Sequence, residues 1–479
     1  MNRDDYKVVI GIEVHAQLCT QSKVWCSCEV GGSDYENSRV CEVCSAHPGT
    51  LPVLNQGVFD YAIKAGLALD CKISPEISFD RKNYFYPDLP KGYQITQFYR
   101  PIAQSGVLKI RDDKENEKTV RIRQIQIEED TGKSIHVQDY SLINLNRAGT
   151  PLIEIVSEPD LSSAAEALDY LKKLHGILVY TGVTQGNMQD GNFRCDVNLS
   201  LQRKDQEKMG IRSEVKNLNS FRHVEKAIHY ETQRHWNLIK EGKEVPQETR
   251  LFDIETLSTK VLRVKSDADD YRYFNEPDLL PVFITEQKIN SIRADLPELP
   301  QTKITRLMKE YGLSEYAAET LSSQSSLADY FEQTVKMTSL PAVKVGNWVM
   351  VELMRLINEY NAQIDSIALR PKHLAELLNL IAGNKISGTV AKDVLTQMYD
   401  TQKSAHQIVT EQNLALETDT DLVDEVAERL ILKHPEEVEQ YRAGRERILG
   451  FLVGQAMKEL KGKADPALIS QTLKDKIGQ

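Results

Sequence analysis

Residues 8–18 read VVIGIEVHAQL. Laid out as a β-strand, successive side chains alternate sides, so Val8, Ile10, Ile12, Val14, Ala16 and Leu18 share one face while Gly11, Glu13, His15 and Gln17 share the other. One face is apolar, and the other sets an acid beside an imidazole. The same period of two recurs downstream. In RCDVNLSL (194–201), Cys195, Val197, Leu199 and Leu201 oppose Arg194, Asp196, Asn198 and Ser200. In IRSEVKN (211–217), Arg212, Glu214 and Lys216 oppose Ile211, Ser213 and Val215. RQIQIEED (123–130) offers Gln124, Gln126 and Glu128 against Ile125 and Ile127, with Glu129 at the strand end. TPLIEIVSEPD (150–160) puts Glu154 and Glu158 on a face they share with Leu152 and Val156. Strands of this kind predict an antiparallel sheet with one face in a core and one turned outward.

A solvated sheet face explains any single one of these strands. Together they gather Glu13, His15, Glu128, Glu154, Asp196 and Glu214, a set that repels itself unless cations sit among it. Carboxylate oxygens with an imidazole suit Mg²⁺ or Mn²⁺, which commonly join protein oxygens to substrate phosphates. Arg147, Arg194, Arg212 and Lys216 are then candidates to meet a phosphate.

At 479 residues the chain exceeds one compact core and predicts about three domains. Hydrophobic residues at 41% and charged residues at 27% make an ordinary folded balance. No signal-like N-terminus or bilayer-length apolar run is present in the sequence, which predicts a cytoplasmic protein with no membrane attachment. A net charge of −11 disfavours indiscriminate polyanion binding, so nucleic-acid contact must come from local patches. Up to about residue 297 the texture is β-rich, interrupted by helical patterns at 161–182 and 221–242; beyond it, helices dominate. Val345, Trp348, Val349, Leu353, Leu356 and Ile357 fit one helical stripe. A polar stretch near residue 405 suggests a further boundary before a tail made locally basic by Arg442, Arg445, Arg447, Lys458, Lys461 and Lys463.

Cysteine usage points to a metal. Seven cysteines, an odd number without an export signal, argue against a disulfide framework. Cys26, Cys28, Cys41 and Cys44 form C-x-C-x12-C-x2-C, two close pairs across a loop that can present four thiolates to a closed, structural Zn²⁺ site. Cys19, Cys71 and Cys195 read as small core residues. The stretch FDRKNYFYPDLPKGYQITQ (79–97) interleaves Arg81, Lys82, Tyr84 and Tyr86, the chemistry that stacks on unpaired bases and holds phosphates; a buried aromatic cluster fits it as well.

In order along the chain, GIEVHAQL, HPGTLPVLN, FDRKNYFYPDLPKGYQITQ, EEDTGK, NRAGTPLIEIVSEPD, RCDVNLSL, EVKNLNSF and DDYRYFNEPDLLP resemble the B subunits of tRNA-dependent amidotransferases, and NWVMVELMRLIN and GFLVGQAMK carry the likeness to the C-terminus. The resemblance implies an α+β chain: a glutamine-synthetase-like antiparallel β cradle at 1–295 with the kinase and zinc sites, an all-α helical domain at 296–405, and a small all-α tail at 406–479 that holds tRNA. It implies partnership with an amidase-type A subunit and a small C subunit, with misacylated tRNA(Gln) or tRNA(Asn) as substrate. ATP and Mg²⁺ would serve to phosphorylate the side-chain carboxylate, and ammonia from the A subunit would displace phosphate. By the same resemblance, Glu13, His15, Glu128, Glu154, Asp196 and Glu214 are catalytic and Mg²⁺-binding, backed by Glu129, Glu158, Arg147, Arg194, Ser200 and Lys216. Arg81, Lys82, Tyr84 and Tyr86 are candidate substrate contacts. Gln126 stands where many members carry His. A free-standing ligase of small acids and a non-catalytic tRNA scaffold are the competing expectations; activity of the purified chain on a free amino acid would favour the first, and loss of tRNA binding but not of ATP hydrolysis on deleting residues 406–479 would separate the tail from the cradle.

Overall fold

A computed structural model describes residues 2–31, 35–264, 271–415, 420–460 and 466–478, and its chain parts into two compact units, Met1–Leu299 and Pro300–Gln479. Lys461 and Lys463 of the expected basic tail lie outside the described residues.

The first unit is built on a nine-stranded sheet. Its centre comprises β1 (Tyr6–Gln17), β2 (Glu117–Glu129), β3 (Pro151–Ser157), β4 (Phe193–Arg203) and β5 (Ser213–Leu218), in the spatial order β5-β4-β1-β3-β2. Glu248–Asp253 and then Ser258–Val264 continue it beyond β5; Ala103–Arg111 and then Lys72–Ile73 continue it beyond β2. Alternation in β1 is realised: Ile10, Ile12, Val14 and Ala16 are buried, while Glu13, His15 and Gln17 are only partly buried. The apolar face packs under α1 (Gln56–Ala68), α2 (Ala164–Tyr180) and α3 (Phe221–Lys240), through residues such as Phe59, Ile63, Tyr170, Leu174 and Val224. Each helix begins where a side chain accepts a backbone N–H at the N-cap: Asn55, Ser163 and Ser220. Gly106 in the Ala103–Arg111 strand is required by a close approach, since a Cβ there would lie 2.2 Å from Cys71 Sγ and 2.7 Å from Leu69 O.

The expected all-antiparallel sheet needs one correction. β5 pairs in parallel with Glu248–Asp253, because α3 intervenes and returns the chain to the same end of the sheet, the crossover that a parallel pair demands.

The second unit is helical. One apolar cluster gathers residues from Leu307 to Val409, and a separate one gathers Val423 to Ile477. Ala405, Ile408 and Val409, at the polar stretch near 405, pack into the former. The stripe on residues 345–357 is buried apart from the half-buried Trp348, and its helix widens to a π-turn over Trp348–Leu353. Among the described residues no helix is long and apolar enough to cross a membrane.

Candidate active site and metal centre

Sheet register decides which polar side chains meet. Across the β1–β4 ladder Glu13 faces Asp196 and His15 faces Arg194; across β1–β3 His15 faces Glu154; across β4–β5 Asn198 faces Glu214. Paired residues project to the same side, so carboxylates from five strands converge. They form two sets, His15 with Glu128 and Glu154, and Glu13 with Asp196 and Glu214, each with ligand atoms within 4.8 Å of one another. His15 Nε2 lies 3.5 Å from Glu128 Oε2 and 3.7 Å from Glu154 Oε1. A small sheet of Asp80–Asn83, Tyr93–Thr96 and Phe274–Asn275 reaches the edge of this face. From it Thr96 donates to Glu128 at 2.6 Å and Gln94 at 3.1 Å. Asn198 Nδ2 donates to Glu13 at 2.9 Å and Thr249 Oγ1 to Glu214 at 2.9 Å.

The face floors a cavity of about 660 Å³ in which five carboxylates meet three cationic side chains, Lys82, Lys216 and Arg212. Lys216 pairs with Asp196 and, at 2.9 Å, with Glu214. Burial alone would lower the Lys82 and Lys216 pKa values, but the neighbouring carboxylates outweigh it and both are raised, so both stay charged. Burial would likewise lift Glu128, yet Lys82 and His15 hold it below the usual carboxylate range. Glu154 is pushed up, by burial first and by Glu128 second. His15 is raised, its two carboxylate neighbours overcoming burial. The donor set is hard oxygen with one imidazole and carries excess negative charge, which fits divalent cations.

Several expected residues stand elsewhere. Arg81 is clasped by Glu276 through two 2.8 Å bonds and lies over the Tyr93 ring, so it is spent on its own scaffold and does not line the cavity. Arg147 donates to the carbonyls of Thr131 and Gly132 and sits at a different cavity. Ser200 shares the polar parity of β4 but is buried beyond the cavity's reach. Glu129 points with Ile125 and Ile127, accepts the Ile95 N–H and pairs with Lys91; Glu158 pairs with Arg123 at the surface. Arg194 is tied to Asp130 at 3.1 Å and lines an adjoining recess of about 460 Å³. Lys82, Tyr84 and Tyr86 do line the main cavity.

Gln94, Thr96, Asn198 and Thr249, with the rim aromatics Phe98, Tyr271 and Tyr273, were not foreseen. Asn198 could have been, since it shares the β4 face with Asp196. Phe98 and Tyr273 stack with centroids 4.1 Å apart.

The four clustered cysteines also meet, all within 4.8 Å. Cys41 and Cys44 sulfurs are 3.9 Å apart, close to the roughly 3.8 Å that tetrahedral Zn–S bonds of about 2.3 Å impose. The Cys41 N–H donates to Cys44 Sγ at 3.2 Å, and the fully buried Lys23 ammonium lies 3.4 Å from the same sulfur, both favouring a thiolate. This cluster can hold a metal ion. Cys71 and Cys195 are buried as expected, whereas Cys19 is half-buried.

Comparison with known proteins fits this geometry. The family model described as the GatB/GatE catalytic domain matches residues 8–290, and that of the GatB domain matches residues 329–477. The chain belongs to the GatB family. A relative from Thermodesulfovibrio yellowstonii, named as the B subunit of an aspartyl/glutamyl-tRNA(Asn/Gln) amidotransferase, is 47% identical over 469 residues, 98% of each chain. Relatives of the same name from Persephonella marina and Geotalea daltonii are each 47% identical, over 473 and 478 residues, covering 98% and 99% of this chain and 99% of their own. Within this GatB-family chain, the two carboxylate sets and the cysteine cluster all fall inside the span matched to the catalytic domain.

Proposed function

We propose that this chain is the B subunit of a tRNA-dependent amidotransferase that uses ATP to phosphorylate the side-chain carboxylate of Glu-tRNA(Gln), and of Asp-tRNA(Asn), before amidation. The observation that carries the reading is the pair of carboxylate sets on one sheet face beneath a cavity walled by Lys82 and Lys216. A carboxylate is a poor electrophile for ammonia, whereas an acyl phosphate has a good leaving group. Forming it requires two anions to approach, and the five carboxylates of the floor oppose that unless cations intervene. His15, Glu128 and Glu154 would hold one Mg²⁺, and Glu13, Asp196 and Glu214 another; bound there, such ions offset the charge between carboxylate and phosphate. Lys82 and Lys216 add fixed positive charge beside them, and Arg212 adds it at the rim. Thr96, Gln94, Asn198 and Thr249 orient the carboxylates by donating to them. Phe98, Tyr271 and Tyr273 offer faces for a purine.

The same reading assigns residues 1–295 to a glutamine-synthetase-like cradle, 296–405 to a helical domain and 406–479 to a tRNA-holding tail. It makes glutamine the amide donor, through an amidase-type A subunit with a small C subunit, in the cytoplasm. Zn²⁺ at Cys26, Cys28, Cys41 and Cys44 would be structural.

The test is tRNA-dependent ATP hydrolysis by the chain assembled with its A and C partners, alongside His15→Ala and Glu13→Ala. The expected result is loss of about 100-fold or more in phosphate release with tRNA binding retained. Full activity in either variant would reduce the polar face to a solvated sheet.

A further inference from the structure

Directly behind the outer wall of the cavity, on the helix side of the sheet, lies a buried ionic network that takes no part in the chemistry above. Glu231 and His235 of α3, Ser213 of β5, Glu248 and Arg250 of the neighbouring strand and Thr259 of the next are all buried. Glu231 takes Arg234 Nη2 at 2.8 Å, Arg250 Nε at 3.2 Å and the Thr259 hydroxyl. Arg250 also pairs with Glu248 and donates to Thr259 Oγ1 at 2.7 Å and to its carbonyl at 2.9 Å. Ser213 Oγ accepts from Arg234 at 2.8 Å and lies 2.9 Å from His235 Nε2. Two carboxylates thus face two guanidinium groups, bridging one helix to three strands.

Such a network is a costly way to fill a core. Well-packed apolar side chains of similar volume usually give equal or greater stability, because burying charge costs more solvation than the pairing returns. Its directional bonds can supply something apolar packing lacks, a unique register. The register at stake is that of the parallel pair, where Ser213 faces Glu248, Glu214 faces Thr249 and Val215 faces Arg250. Ser213, Glu248 and Arg250 point into the network, while Glu214 and Thr249 between them point into the cavity and are joined at 2.9 Å. A slip of one residue would turn Thr249 away from the cavity and leave Glu214 without that donor.

We propose that this network is a positioning device: it locks β5 to Glu248–Asp253 and so holds Glu214 and Thr249 in place to complete the second carboxylate set. Resting on the proposed cation-binding role of that set, the inference concerns residues that touch neither substrate nor cation. It predicts that the two sets respond differently, since His15, Glu128 and Glu154 are carried on strands the network does not reach.

The test is Mn²⁺ titration of the full chain followed by electron paramagnetic resonance, on wild type, on Glu231→Leu with Arg250→Met, and on Thr259→Val. The double variant removes one acid and one base, so the charge stays balanced. Expected is at least tenfold weaker binding at one of two sites with the other unchanged, and a two- to fivefold weakening in Thr259→Val, which removes a single hydroxyl and is the fallback if the double variant does not fold. Unchanged Mn²⁺ affinity in a folded variant would overturn the proposal, as would equal weakening at both sites. Hydrogen exchange is measured in parallel. If wild type binds no Mn²⁺, the cation reading falls by itself, and exchange decides the positioning claim. Selective loss of amide protection at 214–216 and 249–251, with Phe193–Arg203 unchanged, supports it, and unchanged protection refutes it.

Discussion

Glu128 and Glu154 stand on neighbouring strands with one imidazole between them, yet they are driven in opposite directions. Burial lifts both, but at Glu128 it is outweighed by Lys82, His15 and two hydrogen-bond donors, while at Glu154 repulsion from Glu128 adds to it. Because its native pKa is raised, the folded protein binds that proton more tightly than the unfolded chain does. Its contribution to stability is therefore greatest below the ordinary carboxylate value, about 4.3, and is lost as pH rises through the raised native one. In metal-free protein, Glu154→Gln should gain about 1–2 kcal/mol over wild type at pH 8 and little at pH 4, measured by denaturant melts with chelator present. Lys82→Met should have the opposite effect on wild-type stability above neutrality and should cut phosphate release by about 100-fold. A Lys82→Met chain as active as wild type would remove that ammonium from the reaction. Lys82 also shows where reading residues in isolation falls short. Sequence marked Arg81 and Lys82 alike as cations near aromatics, but on an extended strand neighbours face opposite ways, and Arg81 is claimed by Glu276. Lys82, Tyr84 and Tyr86 share one parity and all three line the cavity. Within Asp80–Asn83 the period of two separates Lys82 from Arg81, and Tyr84 and Tyr86 follow just past the strand's end.

At the level of elements, β1, β2, β4 and β5 were legible because each carries its own alternation, and a polar face repeated over four strands predicts convergence before any register is known; β3 was less legible, because Leu152 and Val156 share the face of Glu154. What alternation does not encode is which strand lies beside which. The parallel pairing of β5 depends on α3 crossing back, and the donors Gln94 and Thr96 arrive from a different sheet altogether. Glu129 keeps the period and so falls on the face of Ile125 and Ile127, away from Glu128, whereas at Glu158 a bulge near Ser157 breaks the period. The cysteine element was legible through spacing alone, since two short-range pairs need a single loop closure to meet. Cys44→Ser should reduce bound zinc to well below one equivalent, leave Lys23 buried without its thiolate, and lower stability by about 2–4 kcal/mol. Metal analysis with thermal unfolding checks this, and retention of a full equivalent would show that Cys44 is no ligand.

Across the molecule, the described residues form separate cores: the sheet and the helices packed on it make one, and the helical unit contains two more. Independent cores license deletion. Removing residues 406–479 takes away the cluster of Val423 to Ile477 but also strips Ile408 and Val409 from their neighbours, so a cut after residue 415 is the cleaner one. That truncated chain, assembled with its partners, should keep basal ATP hydrolysis within about twofold and raise KM for aminoacyl-tRNA about tenfold or more, as expected if the tail adds binding energy remote from the chemistry. An unchanged KM would detach the tail from tRNA. In the proposed reaction the side-chain carboxylate attacks the terminal phosphate of ATP. This step is tested most directly with Glu-tRNA(Gln) bearing ¹⁸O in both side-chain carboxylate oxygens, incubated with the assembled enzyme, ATP, Mg²⁺ and glutamine, and mass analysis of the released phosphate. An acyl phosphate displaced by ammonia leaves one ¹⁸O in the phosphate and one in the amide. Unlabelled phosphate accompanying amide formation would contradict the account.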